Sequence, residues 1–222
     1  MKLIIIPTPP FDFDLSAKIF SDGDKQISKY ADGKYWRVIR VNNKLILIVV
    51  KSIGNVDEPK LLVELKSNKR VSDNEKRKTR QIICSLFDLR LDLKPFYNTI
   101  KNDEVMSKLT QKLYGLKSGT TPSVFEALIY PIIEQQISLN VAFSMEKKFI
   151  KRFGESIKIE DDIYYAFPTP ARLAFANIKE LRACGLSQKK AEYIRDISKL
   201  VVKKNLDLEK FKNYGENSKI IK

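Results

Sequence analysis

Histidine is missing from the sequence and cysteine occurs only twice, which excludes several common kinds of active site. Without histidine the chain cannot form a Ser-His or Cys-His nucleophile system, and the usual zinc sites lose a main ligand. Cys84 and Cys184 lie far apart, so they form neither a CxxC redox motif nor part of a four-cysteine cluster. We therefore expect no metal site and no redox cofactor.

Glycine is also scarce, and long hydrophobic runs are absent. The 8 glycines form neither GxGxxG nor GxxxxGKS/T, so the common loops that bind nucleotide phosphates are lacking. No apolar run approaches the ~20 residues that a membrane-spanning helix needs. The start, Met1–Pro7, is strand-like and lacks the cleavage site of a signal peptide. We expect a cytoplasmic protein with no cofactor and no membrane partner.

Positive charge dominates what is present. Lysine and arginine number 41 against 27 aspartates and glutamates, which gives a net charge of +14 at pH 7. A field of this sign attracts nucleic-acid phosphates and anionic membranes. The alternative is a lysine-rich protein whose charge is incidental. The 222 residues, of which 43% are hydrophobic, suffice to bury a core as one large domain or two small ones.

The first part of the chain predicts an antiparallel β-sheet. Residues 35–41 and 44–50 are β-branched and aromatic runs, and Asn42-Asn43 between them favours a hairpin because asparagine tolerates positive φ. Shorter strands are predicted at residues 3–6 and 60–66. Such a sheet is expected to have one covered face.

A helix is predicted to cover that sheet. Residues 72–75, Ser-Asp-Asn-Glu, match a capping box, which predicts a helix from there to about Leu86. The side chains expected to pack on the sheet are Ile82, Ile83, Leu86 and Phe87.

After Leu93 the sequence predicts short helices only. Residues 123–126, Ser-Val-Phe-Glu, form a second capping box directly behind Pro122. Pro131 lies inside the helix that follows and removes one backbone hydrogen bond, at a cost of ~3 kcal/mol if unrelieved. The buried face of that helix is expected to contain Phe125, Leu128, Ile129, Ile132 and Ile133. Further helices are predicted over 140–153, ended by Gly154, and from Ser187 to about Lys203, and the aromatic residues expected in the core are Trp36, Phe125, Phe143 and Tyr193.

The clearest break in the sequence is Ser118–Pro122. We place the domain boundary there, so that residues 1–117 form an N-terminal α+β domain and residues 118–222 form a helical domain.

Strings in the helical half resemble the helix-hairpin-helix DNA glycosylases. Residues 125–128, Phe-Glu-Ala-Leu, followed by 134–138, Glu-Gln-Gln-Ile-Ser, resemble the opening helix of that family. Phe-Pro-Thr-Pro at 167–170 and the stretch 181–194 are similar to the later pattern FPTP…LRxxGLSxxKAxYI. Upstream, Pro9–Asp12 and the hairpin at 35–50 resemble the N-terminal β domain of the 3-methyladenine DNA glycosylase II group. The resemblance covers nearly the whole chain.

This resemblance implies a base-excision-repair enzyme whose partner is double-stranded DNA with a damaged base. Such enzymes swing a damaged nucleotide out of the duplex and cut its glycosidic bond. An aspartate supports an oxocarbenium-like transition state in the family pattern, as in sugar hydrolysis. That aspartate follows a GxG hairpin whose amides hold the phosphate backbone.

The hairpin and the aspartate are not found in the 222 residues. Gly215 is the last glycine, and residues 216–222 resemble the helix just before the hairpin. The aromatic base pocket and the lysine nucleophile of the oxidised-guanine branch are absent as well. We expect a truncated or split glycosylase that is inactive alone, and a second polypeptide is the expected carrier of the missing half.

Five residues are candidates for contact with DNA. Gln135 and Gln136 occupy the positions where the family places residues that enter the gap left by the flipped base. The alternative is a helix-end pair that binds a neighbouring loop. Lys189 and Lys190 lie in the first turn of a helix, where a cation is unfavourable for the helix dipole, so a phosphate partner would explain them. A solvated turn explains them as well. Ser138 closes the motif and is assigned to the same face.

Three carboxylates are the candidates to replace the missing catalytic group. Glu134 stands where the family pattern has a small residue, and it brings negative charge close to the expected DNA face. Asp161 and Asp162 are adjacent, but their polar loop gives no sign of the burial that would tune a catalytic pKa.

We predict an α+β fold, an N-terminal antiparallel sheet domain with packed helices followed by an incomplete all-α glycosylase domain. Three functions stay open: a split or truncated glycosylase, a non-catalytic DNA-binding or regulatory module derived from one, and a folded remnant without activity.

Overall fold

The computed structural model describes residues 1–213 of the chain. Within that range an antiparallel β-sheet with packed helices comes first and a set of helices follows, which confirms the predicted α+β class. Gly215 and the helix expected over residues 216–222 lie outside the described part. None of the helices in residues 1–213 combines the length and the apolar character needed to cross a membrane.

The chain divides into two compact units. The first comprises residues 1–122 together with 157–164, and the second comprises 123–156 and the chain from Tyr165 onward. The domain boundary placed between residues 117 and 118 from the sequence stays a prediction.

The first unit is built on a five-stranded sheet. Its strands are β1 (Lys2–Ile5), β2 (Ser28–Ala31), β3 (Lys34–Val41), β4 (Lys44–Ser52) and β5 (Leu61–Lys66). They are all antiparallel, in the order β1-β5-β4-β3-β2. The predicted hairpin is confirmed, because Val41 lies opposite Lys44 and Asn42 has a φ of 55°. Buried and half-buried residues alternate along β5, as a sheet with one covered face requires.

Four helices accompany the sheet: α1 (Phe13–Ala17), α2 (Asp73–Leu86), α3 (Lys94–Ile100) and α4 (Glu104–Lys112). The capping box at the start of α2 is confirmed, with Ser72 and Glu75 each accepting the backbone N–H of the other. Lys44 donates to the Glu75 carboxylate at 2.7 Å, and mainly for that reason the pKa of Glu75 falls to about 2. Ile83, Leu86 and Phe87 are buried in the core as predicted, and Ile82 packs against its margin.

A buried cation ties the end of the first unit to its beginning. The Lys117 side chain is 1% exposed, and its ammonium donates to the carbonyls of Thr8 at 2.7 Å and Leu91 at 2.6 Å. It also lies 5.5 Å from the centre of the Phe11 ring. Burial lowers the pKa of Lys117. The two carbonyls and the ring offset the desolvation of this charge.

The second unit contains five α-helices within the described residues, followed by a 3-10 helix at Leu208–Asn213. The α-helices are α5 (Val124–Glu134), α6 (Leu139–Phe153), α7 (Pro170–Ala174), α8 (Ile178–Ala183) and α9 (Gln188–Lys203). The predicted caps are confirmed, since Ser123 accepts from the Glu126 N–H and Ser187 from the Lys190 N–H. Gly154 ends α6 as predicted, and its reason is space: an added Cβ would lie 2.1 Å from the Ala166 carbonyl oxygen.

The expectation that only helices follow Leu93 is wrong at one place. Residues Ser156–Ile159 and Asp162–Tyr165 form the two-stranded hairpin β6-β7. Glu160 takes the left-handed conformation that closes this turn, with a φ of 57°. The alternation of isoleucine with polar residues in 156–159 is a strand pattern. Its four-residue length makes that signal weak.

Several aromatic and aliphatic side chains expected in the core are exposed instead. Phe143 is 44% exposed and Tyr193 is 57% exposed, whereas Phe125 is buried as predicted. Trp36 is half-buried, and its indole N–H donates to the Lys25 carbonyl. On α5, Leu128 is 42% exposed. The arc of α6 that is buried contains Ala142, Met145, Phe149, Ile150 and Phe153, so helical spacing alone overestimates how wide the covered face is.

Candidate nucleic-acid interface

The motif at residues 134–138 forms the turn between α5 and α6. After α5 ends, Gln135 is extended with a ψ of 133°, and Gln136 takes a left-handed conformation with a φ of 57°. A non-glycine residue costs roughly 1–2 kcal/mol in that region, so neighbouring contacts must hold it there. Gln135 and Gln136 are both exposed. Ser138 is exposed at the start of α6, and its hydroxyl makes no capping hydrogen bond. The turn therefore presents two amides and a hydroxyl to solvent.

Lys190 joins this turn to α9. Its ammonium donates to the Ile133 carbonyl at 2.8 Å and to the Gln135 carbonyl at 2.7 Å. The last carbonyls of a helix lack partners within the helix, and a cation is favourable at that end of the dipole. Lys190 is thus poorly placed for its own helix and well placed for α5. An ammonium has three hydrogens, so one is left for a further acceptor.

Lys189, the neighbour of Lys190, is exposed. The sequence makes both lysines candidates for contact with DNA phosphates, with a solvated turn as the alternative, and the structure gives them different surroundings. Lys190 is half-buried against the turn and Lys189 points to solvent. Direct phosphate contacts by either residue stay predictions.

A pair of carboxyl groups lies beside the same turn. Glu134, the last residue of α5, is within hydrogen-bonding distance of Glu146 on α6. Desolvation, and after it the charge of Glu134 and the hydrogen bond between the two groups, raise the pKa of Glu146 to about 7. The Oε1 atom of Glu146 is buried without a hydrogen-bond partner. Glu146 is therefore partly protonated near neutral pH, because burial and a neighbouring carboxylate both disfavour its charged form.

Glu146 is the residue that sequence reasoning missed. It lies seven residues into α6 in a run of polar and charged side chains, with no local signal of burial. Its surroundings come from Glu134 across the helix pair, and only the fold brings the two together. Of the three carboxylates named from the sequence, Glu134 belongs to the same unit as the glutamine turn and directly precedes it in the chain.

Asp161 and Asp162 belong to the β6-β7 hairpin. They are exposed, at the turn of the β6-β7 hairpin and at the first position of β7. Residues 157–164 group with the first unit, whereas the glutamine turn belongs to the second. Within residues 1–213, no group of three or more acidic or cysteine side chains is arranged to hold a metal ion.

Comparison with family models identifies both halves of the chain. Residues 129–220 match the model of the HhH-GPD superfamily base excision DNA repair proteins, and residues 18–128 match the N-terminal domain of 8-oxoguanine DNA glycosylase. A DNA-3-methyladenine glycosylase of Bacillus subtilis (strain 168) is 31% identical over 211 residues, which is 93% of this chain and 69% of that protein. The chain belongs to the HhH-GPD superfamily. The resemblance drawn from the glutamine motif and the FPTP stretch is thereby confirmed.

Solved structures of HhH-GPD proteins share the fold. A 3-methyladenine DNA-glycosylase from Archaeoglobus fulgidus superposes with a TM-score of 0.82 at 26% identity, over 97% of this chain and 71% of that one. The apo form of an 8-oxoguanine glycosylase/lyase from Clostridium acetobutylicum superposes with a TM-score of 0.67 at 19% identity, over 96% of this chain and 68% of that one. At that identity the second likeness concerns the fold alone.

Proposed function

We propose that this protein acts in the excision of alkylated bases from double-stranded DNA, and that these 222 residues supply the part that engages the duplex. The observation that carries the proposal is the turn at Gln135-Gln136. It is exposed, and it contains Gln136 in a costly left-handed conformation. The half-buried ammonium of Lys190 holds it through hydrogen bonds to two backbone carbonyls. Strain of this kind persists where surrounding contacts hold it, and it is concentrated at functional sites.

The chemistry of the turn suits a duplex from which one nucleotide has been removed. An amide side chain both donates and accepts hydrogen bonds, so Gln135 or Gln136 can replace those that the partner base loses. The exposed Ser138 hydroxyl and the Lys189 ammonium are groups that bind phosphate oxygens. The net charge of +14 favours association with DNA in general.

The class of lesion is proposed from the named relatives. The curated protein at 31% identity and the solved structure at 26% identity are both 3-methyladenine DNA glycosylases. We extend that alkylated-base class to this protein. A base-excision role needs the flipped nucleotide, since the glycosidic bond cannot be reached inside the stack.

The 222 residues alone are proposed not to cut the bond. The aspartate and GxG hairpin implied by the family pattern are not among them, and Asp161 and Asp162 are exposed in a hairpin turn. Glu146 is partly protonated near neutral pH, so it supplies less negative charge than a free carboxylate to stabilise a cationic sugar. We propose that a polypeptide with a GxG hairpin and an aspartate completes the enzyme.

Exposed apolar side chains on α6 offer a surface for that polypeptide. Leu139 is 67% exposed and Phe143 is 44% exposed, and residues four apart lie on one helix face. Apolar side chains grouped on one face mark interaction sites more often than singly scattered ones do.

The experiment measures both binding and base release. Fluorescence anisotropy with a methylated duplex is expected to show salt-dependent binding by the 222-residue chain, and chromatography of released bases is expected to show none. Adding a polypeptide with the hairpin and aspartate of a 3-methyladenine glycosylase is expected to start release. A flat binding curve at low salt refutes the proposal, and release by the chain alone refutes the division of labour.

The second candidate is a non-catalytic DNA-binding or regulatory module. The observation that favours it is the same exposed turn, beside which Glu146 is partly protonated near neutral pH and so is a weak source of negative charge. It predicts binding that is unchanged, and still no release, after the hairpin polypeptide is added.

A further inference from the structure

We infer that Lys190 is a positioning residue that holds Gln136 in its left-handed conformation, and that it acts on DNA through the turn rather than by binding phosphate. This inference rests on the proposed function, because it concerns the use of the glutamine turn in DNA. It gives different roles to Lys189 and Lys190, which are equivalent candidates for DNA contact in the sequence analysis.

The two hydrogen bonds donated by Lys190 constrain the backbone that leads into Gln136. Lys190 reaches the carbonyls of Ile133 and Gln135, which lie on either side of Glu134 at the end of α5. Fixing the Gln135 carbonyl fixes the peptide plane that leads into Gln136. A residue in the left-handed region is held there only when its flanking peptides are constrained.

The backbone of Lys190 is itself held rigidly at the start of α9. Lys190 lies in the first turn of α9, where its backbone N–H donates to the Ser187 side chain. The next residue, Ala191, and then Ile194 are both fully buried. The ammonium is therefore presented from a backbone fixed by a cap and by core packing, and a rigid donor can impose a conformation on the turn.

Lys190 also supplies positive charge at the C-terminal end of α5. Glu134 places a carboxyl at the helix C-terminus, where negative charge is unfavourable for the dipole. Lys190 puts a cation at the same end. Two of its three hydrogens are donated to carbonyls, so a phosphate could take only the third unless these bonds break. Lys189 is exposed, so a phosphate can approach its ammonium from solvent.

The test uses Lys190→Met, with Lys189→Met as the matched control because both variants remove one positive charge from neighbouring positions. Hydrogen exchange of the backbone amides at 136–139 is measured without DNA. We expect exchange about tenfold faster in Lys190→Met, which loses two charge-assisted hydrogen bonds, and unchanged in Lys189→Met. Equal exchange in the two variants overturns the inference.

Affinity is then measured for a duplex with a stable abasic site and for the same intact duplex. Lys190→Met is expected to lower the ratio of the two affinities about tenfold and to leave the salt dependence unchanged. Lys189→Met is expected to weaken both duplexes equally and to reduce the salt slope by about 0.9. If Lys190→Met gives that second pattern, Lys190 is a phosphate ligand and the inference is wrong.

Two further variants keep the test decisive. Gln135→Ala/Gln136→Ala is expected to lower the same ratio; if it does not, the proposed entry of the glutamines into DNA fails, whatever Lys190 does. If it does and Lys190→Met does not, only the inference about Lys190 fails. Should Lys190→Met not fold, Lys190→Gln retains one donor group and is expected to give an intermediate ratio, and a wild-type ratio in Lys190→Gln counts against the inference.

Discussion

Replacing Glu146 with glutamine should make the second unit more stable at alkaline pH and leave it unchanged in mild acid. The folded chain raises the pKa of this carboxyl from 4.5 to about 7, first through desolvation and then through Glu134. Between those values the folded state binds a proton that the unfolded state lacks. Folding is therefore favoured by this group at low pH, and that contribution is lost as the pH rises through about 7.

The size of the effect follows from the two pKa values. At about 1.36 kcal/mol per pH unit, the full difference corresponds to ~3.4 kcal/mol of unfolding free energy, lost progressively between pH 4.5 and about 7. Glu146 is half-buried, so solvent screens part of this cost and we expect ~1 kcal/mol. A glutamine amide can donate to Glu134 as the protonated carboxyl does, without ionising. Glu146→Gln should thus be about 1 kcal/mol more stable than wild type at pH 8 and equal to it at pH 5.

The assay is urea unfolding followed by far-ultraviolet circular dichroism at both pH values. Asp196→Asn is the control, because its carboxylate is on α9 with 61% of the side chain exposed. The control should change stability by the same small amount at pH 5 and pH 8. A titration of the ¹³C-labelled glutamate carboxyls by NMR reads the Glu146 pKa directly. If Glu146→Gln differs from wild type equally at the two pH values, the raised pKa of Glu146 is contradicted.

Three other changes test features of the fold. Lys117→Met leaves two buried carbonyls without their donor and should lower the unfolding free energy by about 2 kcal/mol, read by the fluorescence of Trp36 in the same unit; an unchanged transition contradicts the role given to the buried cation. Gln136→Gly relieves the left-handed strain and should raise stability by about 0.5 kcal/mol in thermal unfolding, whereas a loss would mean that the strain is not there. Gly154→Ala should cost about 2 kcal/mol in the same assay, since its Cβ would meet the backbone carbonyl of Ala166, which cannot move aside cheaply, and a neutral result would show that the backbone at Ala166 does yield.

Local signals in the sequence predicted much of the fold. Asn42-Asn43 defined its hairpin, and Ser72 and Ser187 gave the starts of α2 and α9, because turns and caps depend on residues only a few positions apart. The β6-β7 hairpin was missed because four-residue strands carry little periodicity. Phe143 and Tyr193 were placed in the core wrongly, because helical spacing says which residues share a face and not whether anything covers it.

The candidate site was only partly readable. The motif with Gln135 and Gln136 could be recognised from adjacent letters, and it does form one exposed turn. The Lys190 bonds to the end of α5 and the Glu134–Glu146 pair join residues on different helices. No spacing rule predicts such contacts, since they depend on how the helices of the second unit pack. The left-handed Gln136 was equally hidden, because glutamine has no special preference for that conformation.

Because the pKa of Glu146 is about 7, we expect DNA binding by the glutamine turn to be linked to proton uptake. Phosphates approaching the turn would favour the neutral form of Glu146 over the charged one, and reciprocity then requires that the bound complex take up a fraction of a proton from the buffer. The heat of association would accordingly differ between buffers of unlike ionisation enthalpy, most strongly near pH 7 where the group is half titrated. In this protein a calorimeter can thus register the arrival of a phosphodiester backbone through a carboxyl group that need not touch it.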